Sequence, residues 1–161
     1  MSYDLDMFAL PPGMDVNTFF ETRETDTELF SVSELTEAEH AFFRSIALKI
    51  ASYDFGFRLL DGDRRHLELN HISNGIQIAF YKNSISFMLP YWHRGEQATA
   101  VFKKIWKYIA VIQGETGYVA YDPQLGDVLD LEADFDKPVQ IFLSTMAKAD
   151  DMMRPKPLLT E

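Results

Sequence analysis

Three dipeptides, Asp61-Gly62, Asn74-Gly75 and Lys82-Asn83, divide residues 55–89 into four runs of alternating apolar and polar residues. Asp-Gly and Asn-Gly tolerate the positive φ angles of tight hairpins, so the runs on either side are expected to pair antiparallel. Residues 55–60, 65–72, 76–81 and 84–89 therefore predict a four-stranded antiparallel meander. A period of two gathers Phe55, Phe57, Leu59, Leu67, Leu69, Ile76, Ile78, Phe80, Ile85, Phe87 and Leu89 on one face. Arg58, Glu68, Asn70, Gln77, Ser84 and Ser86 fall on the other, which is left to water or a partner.

The flanks supply the rest of the sheet and its cover. Residues 3–10 read as a short edge strand, with Tyr3, Leu5 and Met7 opposite Asp4 and Asp6, stopped by Pro11-Pro12-Gly13. A short helix over residues 16–23 carries Phe19 and Phe20 inward, and the polar residues 24–28 read as a loop. Thr36 and Glu39 form a capping box for a helix whose stripe is Leu35, Ala38, Phe42, Ile46 and Ile50, ending by residues 52–54. Ala98, Val101, Phe102, Ile105, Ile109 and Ile112 predict a helix over residues 95–113, with Lys103, Lys104 and Lys107 outward and Gly114 as its stop. Residues 118–121 suggest another short strand, ended by Asp122-Pro123-Gln124-Leu125-Gly126, with Val128, Leu129 and Leu131 beyond it. A final helix begins near Asp136, tolerates Pro138 in its first turn and buries Val139, Phe142, Leu143 and Met146. The expected architecture is α+β: the meander extended by short N- and C-terminal strands, one face covered by helices. A single domain spans residues 1–153, followed by a frayed tail over residues 154–161.

Composition narrows the function. The 161 residues suit one core burying roughly two-thirds of the unfolded surface. With 25 Asp and Glu against 15 Lys and Arg, the net charge of -10 repels nucleic acid and favours a basic protein partner. The absence of cysteine removes disulfides, thiolate metal sites and cysteine nucleophiles. The first residues lack the basic and apolar regions of a signal peptide, and no apolar run approaches a membrane span, so a cytoplasmic location is expected.

No serine-hydrolase elbow, phosphate loop or dinucleotide fingerprint is present, and no cofactor is implied. His40, His66, His71 and His93 have no short ligand spacing, and His66 and His71 differ in strand parity, so no metal site is expected. The acidic run Asp127, Asp130, Glu132, Asp134 and Asp136 lacks the glycine and terminal glutamate of a calcium loop and reads as a solvated loop leading to a helix cap. The candidate interaction surface is Tyr91, Trp92 and His93 at a strand-to-helix junction, with Tyr118, Tyr121 and Asp122 at other strand ends. Amphipathic rings of this kind anchor interfaces or plug the rim of a core.

The opening Met1-Ser2-Tyr3-Asp4-Leu5, Pro90-Tyr91-Trp92 before a helix, and the run from Gly117 to Leu129 (GYVAYDPQLGDVL) resemble small bacterial proteins, some similar to immunity proteins of polymorphic toxin systems. The resemblance implies a non-enzymatic binder that occupies a toxin domain, and it transfers no site residue; Asp122-Pro123 and Gly126 also read plainly as turn chemistry. Two alternatives stand beside it. One is a small-molecule pocket or atypical enzyme near Tyr91, Trp92 and His93; the other is a homodimer through the wet sheet face or the strand at residues 3–10.

Overall fold

The computed structural model describes residues 2–24 and 33–153. The loop expected over residues 24–28 lies, from residue 25 on, outside the described residues, as does the tail over residues 154–161. The elements are β1 (Ser2–Phe8), α1 (Val16–Glu24), α2 (Glu37–Tyr53), β2 (Phe57–Leu60), β3 (Leu67–His71), β4 (Gln77–Tyr81), β5 (Ser84–Pro90), α3 (Gly95–Thr116), β6 (Val119–Asp122), β7 (Asp127–Leu129) and α4 (Asp136–Met153). The protein is α+β, with one open seven-stranded sheet ordered β2-β3-β4-β5-β1-β6-β7 and every neighbouring pair antiparallel.

Alternation sets the faces. Tyr3, Leu5 and Met7 of β1, Leu67 and Leu69 of β3, Ile78 and Phe80 of β4, and Ile85, Phe87 and Leu89 of β5 are fully buried. They join Phe43, Ile46 and Ile50 of α2, the α3 stripe, and Val139 and Phe142 of α4 in one apolar cluster. Burial of this kind contributes roughly 1.5–3 kcal/mol per large side chain.

Five expectations are corrected. The first strand is interior: β1 pairs with β5 over Ser2–Phe8 and with β6 through Asp6–Phe8, leaving β2 and β7 as the edges. Asp4 and Asp6 alternate with the buried residues because they lie on the back face, where Asp6 accepts a bond from the Ser86 hydroxyl at 2.6 Å. Helical cover is not confined to one face. Phe8, opposite in parity to Met7, stacks on Phe19 of α1 at 4.8 Å and meets Phe20 and Tyr121, so α1 covers the back face beside β1, β6 and β7.

The stripe of α2 runs through Phe43, Ile46, Ala47 and Ile50, leaving Phe42 and Ala38 exposed. At about 100° per residue, Phe42 lies some 80° from Ile50, whereas Phe43 lies only about 20° away. Helix α3 runs through Gly114 to Thr116 and ends on Gly117, whose φ of 70° is the left-handed conformation that closes a helix. Finally, Phe55 is not an inward strand residue, because β2 begins only at Phe57.

Candidate functional site

The antiparallel pairing brings the end of β3, the end of β5 and the starts of β1, β2 and β4 to one end of the sheet. A row of buried polar groups lies there. Asp54, the residue that closes α2, accepts bonds from Tyr108 Oη at 2.8 Å, His71 Nε2 at 3.0 Å, Lys104 Nζ at 3.1 Å and the Gly56 amide at 3.1 Å. Burial alone would push this carboxyl up; the donors from Tyr108, His71, Lys104 and Gly56 together hold it well below the ordinary carboxylate range. The same contact, added to burial, pushes the Tyr108 phenol up.

His71 faces Asp54 through Nε2, while its Nδ1 accepts from the amides of Ser73 at 3.3 Å and Asn74 at 3.2 Å. Two amide donors at Nδ1 assign the donor role to Nε2, which donates to Asp54. The Ser73 hydroxyl stands 3.3 Å from Nδ1, which gives Ser73, His71 and Asp54 the composition of a nucleophile–base–carboxylate set. Its geometry serves the turn instead. The lone pair a base would use is already met by two amides, and Asp54 is shared with an ammonium and a phenol.

The row continues through Asn74. Its side chain accepts from the Ile76 amide at 3.0 Å, and its carbonyl accepts from His93 Nε2 at 2.7 Å. His93 is buried, and its Nδ1 meets no donor among the described residues. Gly75 sits at φ 71°, and a Cβ there would stand 2.5 Å from the Trp92 ring, so indole and turn are fitted together. Gly56 is fitted in the same way, since a Cβ would lie 2.3 Å from His71 Nε2.

Apolar side chains stand outside this buried row. Phe55 is 93% exposed, Ile72 65% and Trp92 61%, with Tyr53 half exposed beside them. Residues 55 and 72 sit on neighbouring loops, since the Ile72 amide donates to the Gly56 carbonyl at 2.9 Å. Trp92 lies against Gly75, at the other end of that turn. A monomer gains nothing by holding such groups in water, and exposed apolar groups held on a rigid base are the usual form of a contact surface.

The six residues expected from sequence do not form one surface. Tyr91 stacks on Phe142 at 4.9 Å and meets the edge of Tyr3, whose hydroxyl donates to Asp122. Asp122 is fully buried and accepts from the amides of Gln124 at 2.8 Å and Leu125 at 3.2 Å, closing the β6–β7 turn. Burial pushes its carboxyl up against the pull of those donors. Trp92 and His93 lean to the β4 side of β5, away from Tyr91. Tyr121 lies on the back face against Phe8 and Phe20, and Tyr118 immediately precedes β6 at the far end of the sheet. Of the six, Trp92 alone is exposed.

Sequence reasoning missed Tyr53, Asp54, Phe55, Ile72 and Tyr108. The available signal was the run Tyr53-Asp54-Phe55-Gly56, two rings flanking a carboxylate at a helix end. Among the described residues no helix is long and apolar enough to cross a membrane. Comparison of the chain with models of known protein families, with curated proteins and with solved structures finds no match in any of the three.

Proposed function

We propose that this chain is a non-enzymatic protein-binding module that meets its partner with the loop end of the sheet. The observation that carries the reading is the exposure of Phe55, Ile72 and Trp92 on loops fixed from below by the Asp54–His71 and Asn74–His93 bonds. Pre-organised rings lose little entropy on binding and so serve as anchors. In this reading the chain-order run β2 to β5 is a meander that acts as the platform for those loops.

The partner is a basic protein, drawn in by the net charge of -10. The resemblance to bacterial immunity proteins points to a toxin domain, neutralised by occupation in the cytoplasm. The test is calorimetric titration of the purified chain into the product of a toxin-like gene adjacent to its own. Saturable one-to-one binding with loss of the toxin's activity is expected. A purified toxin domain that neither binds nor loses activity overturns the reading.

A further inference from the structure

Between the end of α2 and the middle of α3 lies an open recess of about 430 Å³, a size suited to a small ligand. Tyr53, Asp54, Phe55, Lys104, Lys107 and Tyr108 line it; Phe55 and both lysines are exposed, and Tyr108 is buried. Its charge runs against the rest of the chain, with two ammonium groups facing a single carboxylate. That carboxylate is consumed by Tyr108, His71, Lys104 and the Gly56 amide. Lys104 spends one N–H on it at 3.1 Å and is half exposed.

Lys107, one turn along α3, has no carboxylate within ion-pair reach among the described residues; its Nζ lies 4.5 Å over the Tyr53 ring. The carbonyl end of α2 attracts cations to this corner, and Lys104 answers it. That leaves Lys107 as a spare donor beside two exposed rings.

We propose that this recess binds a small planar aromatic carboxylate, its ring against Tyr53 and Phe55 and its carboxylate on Lys107 and Lys104. Planar rings stack on such side chains, and a carboxylate accepts from both ammonium groups at once. Gly56 lines the recess with backbone alone, and His71 leaves no room for a side chain there. The site goes beyond the protein-binding reading and does not depend on it, since no partner protein is needed to fill it.

The test is an NMR titration of the isotope-labelled full chain with 4-hydroxybenzoate, with 4-hydroxybenzamide and inorganic phosphate as separate arms. Saturating shifts confined to the amides of residues 53–56 and 104–108 are expected. Binding should be at least tenfold weaker for the amide, for phosphate, and for 4-hydroxybenzoate on the Lys107→Ala variant. Lys107 is exposed, so that variant keeps its fold, as an otherwise unchanged spectrum would show. Absence of shifts at these amides, equal binding by the benzamide, equal binding by phosphate, or unchanged affinity in Lys107→Ala would each overturn the proposal.

Discussion

Two aspartates at this end of the sheet, Asp54 part-buried and Asp122 fully buried, are shifted in opposite directions. Asp54 is held below its ordinary range by donors, so its ionised form favours the folded state. That stabilisation is present above the unfolded pKa of about 3.9 and is lost as pH falls toward the lower folded value. Asp122 is raised by burial, so its ionisation opposes folding, and that penalty appears as pH rises through its folded value. Urea unfolding should therefore show Asp54→Asn losing about 2–3 kcal/mol at pH 7 and distinctly less at pH 3. Asp122→Asn, whose amide can still accept from the turn, should stay within about 1 kcal/mol of wild type at pH 7. Equal losses for the two at pH 7 would contradict these assignments.

A sharper steric test is Gly56→Ala. The added methyl would meet a His71 ring pinned by Asp54 on one side and by the Ser73 and Asn74 amides on the other. A loss of at least about 2 kcal/mol is expected, or a fall of about 4–8 °C in Tm. An unchanged melting curve would mean that the ring is free to move.

Among the elements, what was legible from sequence was whatever depends on local chemistry. The Thr36–Glu39 capping box is present, with both reciprocal bonds at 3.1 Å and 2.7 Å, because a cap is decided within four residues. Thr36→Ala should cost about 1 kcal/mol in thermal unfolding. What failed depends on partners far away in sequence. Nothing in Tyr3-Asp4-Leu5-Asp6 says that β5 pairs on one side and β6 on the other, and a half-polar strand looks the same at an edge or inside. Deleting residues 1–8 should abolish cooperative unfolding, since it removes a strand from the middle of the sheet along with four buried apolar side chains. Two adjacent phenylalanines, 42 and 43, left the choice of buried face to the helix's contacts, and two glycines three residues apart left the choice of stop to the last turn.

For the molecule as a whole, the site was the least legible part. Tyr91, His93 and Asp122 have the composition of a binding cluster, yet each is spent on the interior: a ring stacked on α4, an imidazole holding a hairpin carbonyl, a carboxylate closing a turn. Phe55 has the composition of a core residue and stands in water, because it falls in the turn between the α2 cap at Asp54 and the start of β2 at Phe57. A surface built by apposing two loops and a strand end has no contiguous signature in the chain.

In the proposed function, the polar row beneath the loops holds Phe55, Ile72 and Trp92 outward for a partner. The most direct test of that claim is the affinity of the proposed partner, the product of a toxin-like gene beside this one, for the wild-type chain and for single Phe55→Ala, Trp92→Ala and Tyr118→Ala variants. Phe55→Ala and Trp92→Ala should weaken binding at least tenfold, about 1.4 kcal/mol or more, with unchanged melting temperature, while Tyr118→Ala at the far end of the sheet leaves affinity intact. Equal affinities for wild type, Phe55→Ala and Trp92→Ala would place the contact elsewhere and contradict the account.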